Sequence, residues 1–108
     1  YLDLSEATSL VEIGEGAFVG ASDLAGTLMI PSTVTKIGPN AFYYTKLARL
    51  DLSKAISLVE IGEGAFSDTD LAGLLKVGPA VKTIGTSAFA STKLTSLDLS
   101  VLGGDLAR

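Results

Sequence analysis

The chain has 108 residues, with 8 Lys+Arg against 12 Asp+Glu for a formal net charge of −4, and contains no His, Cys or Trp. That length predicts one domain able to bury a core, and the 47% hydrophobic content argues against disorder. Without His and Cys there is no imidazole or thiolate metal site, no Ser-His-Asp or Cys-His nucleophile and no disulfide framework, and the acidic balance argues against a nucleic-acid binder.

Along the chain, the first predicted strand is Leu2-Asp3-Leu4, apolar on alternate positions. Leu10 and Ile13 follow as an inward-pointing pair, and then comes Ile13-Gly14-Glu15-Gly16-Ala17-Phe18. The order then recurs. Leu28-Met29-Ile30 leads to Val34 and Ile37-Gly38-Pro39-Asn40-Ala41-Phe42, and Leu50-Asp51-Leu52 to Leu58 and Ile61-Gly62-Glu63-Gly64-Ala65-Phe66. Leu75-Lys76-Val77 leads to Val81 and Ile84-Gly85-Thr86-Ser87-Ala88-Phe89, and Leu97-Asp98-Leu99 opens a further unit. All four Phe belong to this Ile-Gly-x-x-Ala-Phe motif, at steps of 24, 24 and 23 residues. A unit this short cannot bury its apolar positions alone, so the units stack as a solenoid.

The expected architecture is a mainly β repeat array with a single parallel sheet, one short strand per unit. Leu2, Leu28, Leu50, Leu75 and Leu97 form one interior column. Leu4, Ile30, Leu52, Val77 and Leu99 point inward, and Asp3, Met29, Asp51, Lys76 and Asp98 outward. The four Phe rings stack in a second column. The Ala-Phe segments are expected to be single helical or 3₁₀ turns, and the Gly after each Ile to suit a tight turn. The domain is 1–108, divided into units 2–27, 28–49, 50–73 and 74–96 with a partial fifth at 97–108. The chain starts inside a strand motif and carries no recognisable cap, which reads as an excerpt of a longer solenoid whose open ends associate end to end.

These motifs resemble the BspA-type, or Treponema pallidum-like, leucine-rich repeats. The stretch from Leu28-Met29-Ile30-Pro31 through Val34, Ile37-Gly38-Pro39-Asn40-Ala41-Phe42 and Thr45 carries the likeness most fully, and it extends to about Ser100. Ser5, Ser53 and Ser100 stand where the family often has Pro, and Thr45, Thr69 and Thr92 where it often has Cys. The resemblance implies a curved right-handed solenoid with a parallel sheet on one face. It also implies a surface or secreted protein that binds other proteins.

A longer period is superimposed, for Leu2 to Glu12 recurs at Leu50 to Glu60. Charge follows it. Units 2–27 and 50–73 carry −5 and −4, whereas 28–49 and 74–96 each carry +3. Asp23, Lys46, Asp70 and Lys93 share one column, and Glu12, Lys36 and Glu60 another that ends on Thr83. With rungs about 5 Å apart, these columns are expected to form ion-pair ladders that set stacking order.

No catalytic, cofactor-binding or metal-binding residue is assigned. Asp3, Asp51 and Asp98 could serve as acid/base groups or hard-cation ligands, but at two-rung spacing they would lie about 10 Å apart and read better as solvated strand residues. Gly14-x-Gly16 and Gly62-x-Gly64 lack the Lys-Ser/Thr of a phosphate loop. Gly103-Gly104-Asp105 occurs once, where calcium-binding repeats need stacked copies. No Ser-x-x-Lys is present. The expected role is a non-catalytic protein-protein interaction or adhesion module at the cell surface or secreted, with a structural spacer as the alternative. It needs no cofactor, nucleic acid or membrane insertion. The candidate partner-binding residues are Met29, Arg49, Asp51, Leu74, Lys76 and Asp98 on the sheet face, and Tyr43 and Tyr44, which interrupt the periodicity on an outer turn.

Overall fold

The structure is a computed structural model that describes residues 2–3 and 10–98, with side chains for 10–98. Leu4 and Leu99, and the expected partial fifth unit beyond Asp98, lie outside the described residues, as do the side chains of Leu2 and Asp3. The described chain winds as a β-solenoid of parallel strands. One series comprises β1 (Leu2–Asp3), β3 (Ala25–Met29), β5 (Lys46–Asp51), β7 (Ala72–Lys76) and β9 (Lys93–Asp98). Between them lies a second series of two-residue strands: β2 (Glu12–Ile13), β4 (Lys36–Ile37), β6 (Glu60–Ile61) and β8 (Thr83–Ile84). Each full unit thus contributes two strands, where the periodicity had suggested one.

The short strands form a continuous ladder, β2-β4-β6-β8. Its register places Ile13, Ile37, Ile61 and Ile84 side by side. The longer strands form two ladders, β1-β3-β5 and β7-β9. Leu2, Leu28 and Leu50 are in register in the first, and Leu75 and Leu97 in the second. Among the described residues, the expected single sheet is therefore interrupted between β5 and β7. Both ladders contain a register shift, at Gly26/Thr27 and at Gly73/Leu74, where the pairing skips Ala48 of β5 and Thr95 of β9. Gly26 and Gly73 have φ of 81° and 77°, which glycine tolerates most easily.

The third side of each turn is the Ala-Phe segment, which is neither α-helical nor 3₁₀ among the described residues. Its amides alternate in direction. Ala17, Val19 and Ala21 N–H groups donate to the carbonyls of Gly14, Gly16 and Phe18, three residues back. The intervening N–H groups of Gly16, Phe18 and Gly20 donate to Pro39, Ala41 and Tyr43 in the next rung. The next rung repeats the arrangement from Asn40, Phe42 and Tyr44 to Glu63, Ala65 and Ser67. A helix would keep every amide for itself, so half of them could not hold the next rung. The alternation requires positive φ at regular positions, found at Gly16, Asn40, Gly64 and Ser87, and again at Gly20, Tyr44, Asp68 and Ser91.

The core lies between these three sides. Ile30, Leu52 and Val77 are buried as expected, with Leu28, Leu50 and Leu75 beside them. Val34, Ile37, Leu58, Ile61 and Val81 close the side under the short strands. The Phe rings stack through the centre, Phe18–Phe42 at 5.0 Å, Phe42–Phe66 at 5.2 Å and Phe66–Phe89 at 5.6 Å, all within 9° of parallel. Thr45, Thr69 and Thr92 donate their hydroxyls to the carbonyls of Phe42, Phe66 and Phe89 at 3.1, 2.9 and 2.9 Å. These bonds satisfy the buried hydroxyls of Thr45 and Thr69.

Candidate functional site

Where the ladder stops between β5 and β7, the strand face contains a groove of about 830 Å³. Its size is in the range of ligand and peptide clefts. One wall is built by β5 and the residues after it, through Arg49, Leu50, Asp51, Leu52 and Ser53. The other is built by β7 and the residues after it, through Leu74, Leu75, Lys76, Val77 and Pro79. Period-2 alternation decides what each wall presents. Leu50, Leu52, Leu75 and Val77 turn to the core, which leaves Arg49, Leu74 and Lys76 exposed and Asp51 half-buried. Leu74 is 57% exposed, a large apolar side chain between the charged Arg49 and Lys76.

Five of the six face residues nominated from the sequence, Arg49, Asp51, Leu74, Lys76 and Asp98, line this one groove. Met29 is the exception. It pairs in register with Asp51 and is half-buried, one strand away from the groove. Tyr43 and Tyr44 stand apart, on the turn after Phe42. Their rings lie 6.1 Å apart with a 35° tilt, and Tyr44 is 67% exposed at a φ of 62°. Thr27 and Pro79 also line the groove and were not singled out from the sequence. Pro79 had a signal, since Gly78-Pro79 occupies the place of Pro31-Ser32 one double-step earlier.

The electrostatics of the groove are set by which charges are already engaged. The Ser53 N–H donates to Asp51 Oδ1 at 2.9 Å. Hydrogen bonds from the Ser53 side chain and backbone hold the Asp51 carboxyl below its ordinary value of 3.8, with Lys54 adding a smaller pull and burial a small opposing push. The charge ladders expected along the stack close in part. Lys36 pairs with Glu60 at 3.9 Å, and Lys93 with Asp70 at 3.8 Å. No ion pair within 4 Å joins Asp23 to Lys46, Lys46 to Asp70 or Glu12 to Lys36 among the described residues. Lys46 and Asp70 belong to the two sides of the interruption, where no ladder holds β5 and β7 in register. Among the described residues there is no group of three or more acidic side chains placed to hold a metal ion, and no helix long and apolar enough to cross a membrane.

A family model described as a BspA type leucine rich repeat region matches residues 2–102 in 6 copies. A search of curated protein sequences gives no match. Among solved structures, the chain is similar to the pneumococcal vaccine antigen PcpA, at 27% identity and a TM-score of 0.70 over 88% of this chain. The similarity spans 24% of the length of that protein chain.

Proposed function

This chain belongs to the BspA-type leucine-rich repeat family, and from that premise we propose that it is a non-catalytic protein-interaction module that binds through its strand face. The observation that carries this reading is the convergence of Arg49, Asp51, Leu74, Lys76 and Asp98 on one groove. The groove combines a charged rim with an exposed leucine, the mixed character of a protein-binding surface. The chain offers it no His or Cys, and the described residues include no group of three or more candidate metal ligands. Its similarity to a pneumococcal vaccine antigen supports placement in a surface or secreted protein, where binding through the strand face would serve adhesion.

Photo-crosslinking tests the face directly. A photoreactive residue replaces Leu74 on the groove rim in one variant and Val11, exposed beside β2, in another. The expected result is a discrete crosslinked partner from extracellular or cell-surface protein preparations with the probe at Leu74 and none at Val11. Adding Lys76→Glu should abolish it. Equal labelling from both positions, or none from either, would favour the spacer role.

A further inference from the structure

The third side of the solenoid, built by the Ala-Phe segments, carries charge of one sign. Residues 14–22, 38–45, 62–69 and 85–92 contain three carboxylates, Glu15, Glu63 and Asp68, and no Lys or Arg. The basic residues that border this side stand at its two corners. Lys46 and Lys93 open β5 and β9, where the chain turns onto the strand face. They share that corner with Asp23 and Asp70, and Lys93 is paired with Asp70 at 3.8 Å. At the opposite corner Lys36 is paired with Glu60 at 3.9 Å, and Lys82 directly precedes β8.

Tyr43 and Tyr44 sit in the middle of this acidic side. Bonds from the Gly20 N–H to the Tyr43 carbonyl and from the Tyr44 N–H to the Ser67 carbonyl fix the register between rungs. Val19, Tyr43, Ser67 and Ala90 therefore form one column, and Gly20, Tyr44, Asp68 and Ser91 the next. Every residue of the second column has positive φ, between 56° and 69°. Glycine enters that region freely and Asp is enriched in it, whereas a bulky aromatic residue is an outlier there. Tyr44 is 67% exposed, so burial does not offset the conformational cost. Val19 and Tyr43 are exposed beside it and extend the apolar patch. On one side of Tyr44 the neighbouring rung offers only Gly20, with no side chain to cover the ring. On the other, Asp68 stands one rung away, about 5 Å along the stack. The Ser67 hydroxyl donates to Asp68 Oδ2 at 3.2 Å, which orients the carboxylate and leaves its charge in place.

An exposed aromatic face beside a carboxylate, on a side without cations, selects a cationic group. The two rings lie 6.1 Å apart and tilt by only 35°. They form an open platform rather than the walls of a cage, and a platform suits a flat guanidinium, which stacks on a ring and forks to a carboxylate at once. We propose that the Ala-Phe side docks an arginine-bearing basic segment of a partner protein on Tyr43 and Tyr44. A guanidinium stacks on Tyr44 and meets Asp68, its aliphatic stem lies along Tyr43 and Val19, and a second basic residue of the segment meets Glu63, earlier in the same rung as Asp68. This surface is on a different side of the solenoid from the groove and stands independently of the strand-face reading.

The test uses the whole chain and labelled synthetic peptides that alternate Ser with Arg, Lys or Glu. Fluorescence anisotropy at low salt should show binding of the Arg–Ser peptide, weaker binding of the Lys–Ser peptide and none of the Glu–Ser peptide. Tyr44→Ser places at position 44 the residue that Ser91 supplies at the same φ, so the variant is expected to fold, which circular dichroism checks. It should weaken Arg–Ser binding about threefold or more. Asp68→Asn should do the same, whereas Glu12→Gln, which removes one negative charge from exposed β2, should not. In NMR titrations with the Arg–Ser peptide, the Tyr44 and Asp68 amides should shift and that of Leu74 should not. Equal losses from Asp68→Asn and Glu12→Gln would reduce the binding to net charge and overturn the proposal. Unchanged binding by Tyr44→Ser would overturn it too, as would maltohexaose shifting the Tyr44 and Asp68 amides where the Arg–Ser peptide does not.

Discussion

At Gly38, Gly62 and Gly85, an added methyl group would lie 2.7, 2.6 and 2.4 Å from the backbone nitrogens of Glu15, Pro39 and Glu63 in the preceding rung. None of the three has positive φ. The Ile-Gly motif thus needs glycine for the approach of one backbone to another, not for a turn conformation. Gly14 has the same motif position but nothing within 4 Å. Gly62→Ala is therefore expected to cost at least ~2 kcal/mol, since a backbone must move. Gly14→Ala should stay within ~0.5 kcal/mol of wild type, and urea unfolding of the two variants checks the contrast. Asp51 yields a second residue-scale expectation. Its carboxyl titrates below 3.8 in the folded chain because Ser53 bonds the charged form. The stabilisation it contributes is complete above the unfolded value and is lost as pH falls through the folded one. Asp51→Asn should flatten the drop in urea midpoint below about pH 4, and an unchanged acid profile would mean that Ser53 bonds the neutral carboxyl equally well.

The stacked elements draw their stability from columns more than from single units. Phe42 is fully buried between Phe18 and Phe66. Phe42→Ala opens a cavity bounded by two other rings and should cost ~3–5 kcal/mol in chemical denaturation; a loss under ~1 kcal/mol would place Phe42 outside the core. The Phe column was legible in the sequence because every ring sits in one motif at near-constant spacing. The conformation around it was not. An Ala-Phe segment of small and apolar residues suits a helical turn, and only the neighbouring rung's need for amide donors turns it into alternating positive and negative φ. The threonine three residues after Phe is part of the same element. Thr69→Val keeps the shape but removes the bond to the Phe66 carbonyl. It should cost about 1 kcal/mol, measured as a shift in unfolding midpoint at unchanged m-value.

For the whole molecule, the two closed ion pairs are both solvent-exposed, with side chains between 40% and 73% accessible. Pairs of that kind contribute at most ~1 kcal/mol each and are screened by salt. The chain's unfolding free energy should therefore change by no more than ~1–2 kcal/mol between low salt and 1 M NaCl, and a larger fall would restore the charge ladders as a principal stacking force. The repeat, the inward and outward faces, the Phe column and the parallel stacking were legible from residue spacing alone, because each follows from a short-range pattern repeated at every unit. The sequence also nominated Arg49, Asp51, Leu74, Lys76 and Asp98 as face residues. That these five surround one groove emerges only from the folded stack. The leucine steps along the face are 26, 22, 25 and 22 residues, and the longest of them, from Leu2 to Leu28, keeps its ladder while the step from Leu50 to Leu75 does not. Spacing tells which residues share a column. Whether two adjacent strands close on each other depends on the balance of backbone bonds on all three sides of the solenoid, and that balance is settled between rungs.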